Sequence, residues 1–195
     1  LLARDAESVL CGSRYFKAKL ERLGFPGDKI AVTPGGIVLS DFAPASSRDP
    51  RLAVGVGRLT AKKAPHHTIA AFAKARQSVP DLKLEMVGGG PLQAECEAMV
   101  ARLGLDDGVT LHGAQDHAFV KALLARAGIF VQHSVTAPNG DEESQGISLL
   151  EAMASGLPVV TTRHNGFPET VVHGETGLLS DEHDGAAMAA NLVRI

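Results

Sequence analysis

At 195 residues, with 45% hydrophobic and 21% charged side chains, the chain has enough apolar material for a packed core and too little charge for intrinsic disorder. A formal charge of -3, with no dense Lys/Arg run and no interleaving of aromatic and basic residues, excludes nucleic acid as an expected partner. No apolar run approaches the ~20 residues of a membrane-spanning helix, and the start lacks a basic-then-apolar leader pattern. Cys11 and Cys96 have neither C-x-x-C nor zinc spacing, so two reduced thiols in a cytoplasmic protein are expected.

In chain order, a short apolar run at 9–11 and a helical pattern at 14–23 come first, followed by a Pro/Gly/Ser-rich link reaching Pro50. Apolar runs at 52–57, 83–87, 109–112, 129–132, 158–162 and 177–179 then alternate with helical patterns at 67–78, 92–103, 117–126, 147–155, 168–173 and 185–193. Strand runs of that kind, apolar at nearly every position and separated by helices, belong to a parallel sheet covered on both faces. The expected fold class is α/β, a Rossmann-like parallel sheet with helices on both faces. The chain begins at Leu1 and its last helical pattern carries no stop signal, so it reads as a piece of a longer protein. Residues 1–32 are expected to close a preceding N-terminal domain, 33–50 to link, and 51–195 to form one nucleotide-binding domain.

In such sheets ligands lie beyond the carboxyl ends of the strands. Arg58, Gly88, Gly113, Ser134, Glu143 and Gly166 all follow expected strand ends and can converge on one cleft. Val56-Gly57-Arg58-Leu59-Thr60-Ala61-Lys62-Lys63 runs from a buried strand into a loop whose Arg58 and Lys63 suit a diphosphate clamp. Glu143-Ser144-Gln145-Gly146-Ile147-Ser148-Leu149-Leu150-Glu151 puts two carboxylates across a loop-to-helix junction. Gly146 permits close approach, and the free N–H groups near Ile147 and Ser148 favour a phosphate. Ser148 and Glu151 equally match a capping box, in which Glu151 bonds only the backbone. Gly88-Gly89-Gly90 either passes close to a nucleotide or makes the turn before a helix.

Taken together, these stretches resemble family four of the retaining glycosyltransferases, the glycosyl transferases group 1, which have the GT-B fold. The resemblance also rests on Ile30-Ala31-Val32-Thr33-Pro34-Gly35-Gly36-Ile37, Met86-Val87-Gly88-Gly89-Gly90-Pro91, Val109-Thr110-Leu111-His112-Gly113 and Gly166-Phe167-Pro168-Glu169, in matching order. It implies the C-terminal half of a GT-B fold that binds a nucleotide-diphosphate sugar. Arg58, Lys63 and Glu143 would be catalytic, and Gly57, Gly88, Gly113, Gly146, Ile147, Ser148, Glu151 and Gly166 donor-binding. Glu151 would take the ribose hydroxyls, Glu143 the sugar hydroxyls and Gly113 the base. The resemblance implies no metal and no further cofactor, an acceptor held by the missing N-terminal domain, and a full protein whose peripheral association with membrane is compatible with these residues. Two departures stand out: Ala64 where the family usually has glycine, and Ser144-Gln145-Gly146 where it commonly has Gly-Phe-Gly.

Other chemistries have weaker claims. Asp141-Glu142-Glu143 resembles an acidic metal cluster only superficially, and paired carboxylates also suit a glycosidase, but Arg58, Lys63 and the glycines fit a phosphate leaving group better. No zinc-helix histidine pair, serine-hydrolase elbow or Walker loop is present. A non-catalytic sugar-nucleotide-binding module and a GT-B epimerase or phosphorylase are the alternatives.

Overall fold

The computed structural model describes residues 2–42, 44 and 47–195. A short helix α1 (Leu2–Asp5) precedes β1 (Val9–Cys11), α2 (Arg14–Arg22) and β2 (Ile30–Val32), and β1 pairs with β2 in parallel. The remaining chain runs β3 (Asp49–Val56), α3 (Pro65–Ser78), β4 (Lys83–Val87), α4 (Gln93–Arg102), β5 (Val109–Leu111), α5 (His117–Arg126) and β6 (Ala127–Gln132). It continues through α6 (Ile147–Ala154), β7 (Val159–Thr162), α7 (Phe167–Thr170), β8 (Gly177–Ser180) and α8 (Gly185–Arg194).

The six later strands form one sheet in the order β5-β4-β3-β6-β7-β8, and every pairing is parallel. Counted from β3, this is the 3-2-1-4-5-6 order of the doubly wound fold. The topological switch point therefore falls between β3 and β6, which meet with Ala53 opposite Ile129 and Val54 opposite Phe130.

The apolar strand runs divide their side chains between two cores by simple alternation. Ala53, Val131 and Val160 face the core built with Ile69, Phe72 and Met188, whereas Val54, Phe130 and Val159 face the one built with Leu123, Leu149 and Phe167. Because both faces are covered, neighbours in sequence can all be apolar, which is why these strands show no polar alternation. Gly55 marks a close approach in mid-sheet, since a Cβ there would sit 3.1 Å from the Val131 carbonyl oxygen.

Several boundaries differ from the sequence reading. The segment Ile30–Val32, expected only as the exit of the preceding domain, is a strand, because a parallel partner at Val9–Cys11 satisfies its backbone. Strand β3 begins at Asp49, inside the expected link, and residues 43, 45 and 46 of that link lie outside the described residues. Helix α3 starts two residues early at Pro65, which suits a first helical position. Helix α7 stops at Thr170 rather than 173, and the bridge between His173 and Gly177 takes the chain directly into β8. Among the described residues, no helix is long and apolar enough to cross a membrane.

Candidate nucleotide-sugar site

The crevice beyond the carboxyl ends of β3, β4 and β5 is built by backbone meeting backbone. Leu59 N–H donates to the Gly89 carbonyl at 3.0 Å, Gly57 N–H to Val87 at 2.9 Å, and Gly88 N–H to Gly113 at 2.8 Å. A Cβ on Gly88 would lie 1.9 Å from the Gly57 oxygen, and one on Gly90 would lie 2.4 Å from the Leu59 oxygen. The glycine run is thus required by loop packing, quite apart from any ligand. Gly113, with φ +66, faces open space. Gly57, Arg58, Gly88, Gly89, Ala114 and Gln115 line an open cleft of about 410 Å³ there.

Arg58 is exposed at the lip of this cleft. Lys63 instead turns inward from a 3-10 turn at Ala61–Lys63, and its Nζ lies 2.7 Å from Glu143 Oε2 with both side chains largely covered. Burial pushes the Lys63 ammonium below its usual range, and the Glu143 charge and hydrogen bond oppose that shift. For Glu143, burial acts upward, but the charges of Lys63 and Lys62 and a backbone bond outweigh it and hold the carboxyl below its usual range. The Glu143 carboxylate is therefore ionised at neutral pH. Ala64, at the usual glycine position, is fully buried in the left-handed region with φ 38, a conformation that strains a residue carrying a Cβ. Neither departure from the family pattern removes a charge from this cluster.

The three consecutive acids each hold a different lysine. Asp141 pairs with Lys62 at 3.1 Å, Glu142 pairs with Lys19 of α2, and Glu143 pairs with Lys63. An acid cluster neutralised in that way is a set of clamps, and among the described residues no group of three or more His, Cys, Asp or Glu is placed to hold a metal ion. His164 fixes the loop further: its Nδ1 lies 2.5 Å from Glu182 Oε1, while its Nε2 accepts from the Glu143 N–H at 3.0 Å. That acceptor role places the imidazole proton on Nδ1. Asn165 Nδ2 donates to the Glu143 carbonyl and to Glu142 Oε2, each at 2.8 Å.

At the head of α6 the capping-box reading fails. The N-cap is Gly146, with φ 71, and no side chain caps this end of the helix. Ser148 lies inside the first turn, where it cannot cap, and Glu151 Oε1 meets His117 Nε2 at 3.1 Å instead of turning back to the backbone. The helix end and its dipole are left for an anion. A Cβ on Gly146 would press on Phe167 at 3.0 Å, so its glycine is set by packing as well as by φ. Gly166 has the same character, since a Cβ there would lie 2.4 Å from the Ser144 oxygen. Two further groups of this region face β1, β2 and α2. Gln145 makes a two-point bond with the Gly35 backbone, at 2.7 and 3.2 Å, and Glu169 accepts from the Arg14 and Tyr15 N–H groups at 2.9 Å each, capping α2.

Arg58, Lys63 and Gly57 thus line one small cavity, Glu143 closes on Lys63, and Ile147 and Ser148 begin the uncapped helix. Gly88 and Gly113 meet behind the Arg58 loop. Sequence reasoning missed Gln132, His164, Asn165 and His117. For Gln132 the available signal is a polar residue ending the apolar run Ile129-Phe130-Val131.

With this geometry established, similarity to known proteins decides the family. The model of the glycosyl transferases group 1 matches residues 40–195. The chain belongs to that family. It is 36% identical over 192 residues to the amylovoran biosynthesis glycosyltransferase AmsK of Erwinia amylovora, covering 97% of this chain and 47% of that protein. It is 33% identical to a GDP-mannose-dependent alpha-(1-6)-phosphatidylinositol monomannoside mannosyltransferase of Mycolicibacterium smegmatis, covering 94% of this chain and 51% of the relative. The chain spans about half the length of these curated relatives. Among solved structures, Anabaena HepE in complex with UDP and glucose superposes with a TM-score of 0.85 at 23% identity, over 99% of this chain and 54% of that one. Sucrose-phosphate synthase of Thermosynechococcus elongatus superposes with a TM-score of 0.82 at 29% identity, over 98% and 49%. The shared architecture is the Rossmann-like half of GT-B glycosyltransferases.

Proposed function

We propose that this chain is the donor-binding part of a retaining hexosyltransferase, which moves a sugar from a nucleotide-diphosphate sugar to an acceptor hydroxyl. The observation that carries the reading is the buried Lys63–Glu143 pair, next to Arg58 and the uncapped head of α6, at the topological switch point. When the bond from the anomeric carbon to the diphosphate breaks, negative charge grows on the leaving phosphate. Arg58, Lys63 and the α6 N–H groups meet that charge without a metal ion, and one such preorganised group is typically worth ~100- to 1,000-fold in rate. Glu151 accepts the ribose hydroxyls, displacing His117, and Glu143 accepts hydroxyls of the donor sugar. The leaving phosphate assists attack on the same face of the sugar, so no side chain serves as a covalent nucleophile.

Residues 1–32 in this reading end a preceding domain that holds the acceptor, and residues 33–50 are the hinge. The full protein works in the cytoplasm or at a membrane surface, and this chain alone transfers sugar very poorly. Calorimetric titration with uridine, guanosine and adenosine diphosphates tests the donor site, with Arg58→Ala and Glu151→Ala run alongside. Saturable binding of one nucleotide, weakened by both substitutions, supports the reading. Binding indifferent to both substitutions overturns it.

A further inference from the structure

Gln132 is the last residue of β6 and only 5% exposed, at the centre of the switch point. With its oxygen turned toward Lys63, the amide satisfies every polar neighbour. Its nitrogen donates to the Val56 carbonyl at 3.2 Å and to Ser148 Oγ at 2.8 Å, and its oxygen accepts from Ser134 Oγ at 3.2 Å and from Lys63 Nζ at 3.1 Å. Three of these four partners are separate pieces of the crevice: the end of β3 just before Gly57-Arg58, the inward-turned lysine, and the first turn of α6.

We infer that Gln132 is a positioning residue for the donor diphosphate, holding the Lys63 ammonium and the α6 head in one geometry. The inference rests on the donor-site reading above. Lys63 has one carboxylate partner, Glu143, and that carboxylate is the group a donor sugar would engage. A second, neutral acceptor keeps the ammonium in place and charged when Glu143 turns to the sugar, without competing for it electrostatically. A carboxylate at this position would hold Lys63 too tightly and repel phosphate, and an apolar side chain would leave a buried cation with one partner fewer. A neutral amide meets both requirements, since it is an acceptor toward Lys63 and a donor toward Ser148 and Val56.

The test combines nucleotide titration with direct observation of the Lys63 amine by NMR of ε-carbon-labelled lysine, on wild type, Gln132→Leu and Gln132→Glu. Leucine removes the acceptor, so the Lys63 titration moves to lower pH. Glutamate adds a charge, so it moves to higher pH, and because glutamate preserves size, this arm stands even if the leucine variant folds poorly. Affinity for the nucleoside diphosphate that wild type binds falls roughly ten- to hundred-fold in Gln132→Leu, the usual worth of a hydrogen bond to a charged group. In a Lys63→Met background the same substitution costs much less, because the two residues act through one contact. An unchanged Lys63 titration in both variants overturns the inference, as does an equal loss of affinity with and without Lys63. If no nucleotide binds, or if Arg58→Ala and Glu151→Ala have no effect while the Lys63 titration still moves, the donor-site reading fails and takes the donor role of Gln132 with it, leaving only the contact.

Discussion

The two halves of the crevice are built by opposite means. On the side of β3, β4 and β5, glycines bring backbone against backbone, and the loops after β3 and β4 lock together through N–H to carbonyl bonds with no room for a Cβ. On the side of β6, β7 and β8, the loop from Asp141 to Gln145 is held by side chains: three acids on three lysines, His164 and Asn165 on the Glu143 backbone, and Gln145 on Gly35. The first half is fixed by steric exclusion, which neither pH nor salt alters. The second is fixed by charge, which a charged ligand can exchange for its own contacts. Under the proposed function, this division suits a site that holds a nucleotide still while a sugar is positioned and released.

The largest expected effect is on the steric side. Gly88→Ala places a Cβ 1.9 Å from a backbone oxygen at φ +139, so backbone must move. Urea denaturation is expected to show a loss of about 3 to 5 kcal/mol. A stable, wild-type-like variant would show that the two loops are not locked.

On the charged side, Glu143→Ala leaves the Lys63 ammonium largely covered and without its carboxylate. A loss of about 2 to 3 kcal/mol is expected in the same assay, and Lys63→Met in that background should recover part of it. Failure to recover would place the cost elsewhere.

Acid should weaken the second half first. Behind it, the His67 ring stacks on His133 with centroids 4.7 Å apart, and the His183 N–H donates to His133 Nε2 at 3.3 Å. Burial, with the neighbouring His67 and His183, pushes His133 down to about 3, and burial likewise lowers His66 and His67. His133 stays neutral in the folded chain while the unfolded chain takes up a proton there below about 6.5. The unfolded state therefore binds more protons between about pH 6.5 and 3, and stability falls as pH falls through that window. From His133 alone the loss at pH 5 relative to pH 7.5 is about 2 kcal/mol. His133→Asn should flatten the slope above pH 5, whereas the lowered Glu142 and Glu143 carboxyls add their loss only below about 4.5.

The smallest effect on stability belongs to Arg58→Ala. Arg58 is exposed, so thermal or urea unfolding should change by no more than about 0.5 kcal/mol. Under the proposed function, nucleotide affinity should nonetheless fall by roughly ten-fold or more. A change in stability without one in binding would assign Arg58 to the scaffold.

Much of the fold was legible in the chain, and for a specific reason. In a parallel sheet covered on both faces most residues of the central strands are buried, so Leu52–Val56 or Ile129–Val131 reads as an apolar block whatever its neighbours do. Glycines and the helix patterns between such blocks then fix the order of elements along the chain. Of the charges of the site, Arg58 was visible because it closely follows such a block, and Lys63, Glu143 and Glu151 because their spacing resembles the family pattern. The strand Ile30–Val32 was not, since three residues carry no period and only a partner 21 positions earlier makes them a strand.

Tertiary structure alone decided how those charges are used. Local spacing left Glu151 equally suited to a cap and to a ligand, and the left-handed Gly146 removed the capping box by placing the N-cap two residues ahead of Ser148. Local spacing made Asp141-Glu142-Glu143 one acidic cluster, and the fold divided it among Lys62, Lys19 and Lys63, which lie 79, 123 and 80 positions away in the chain.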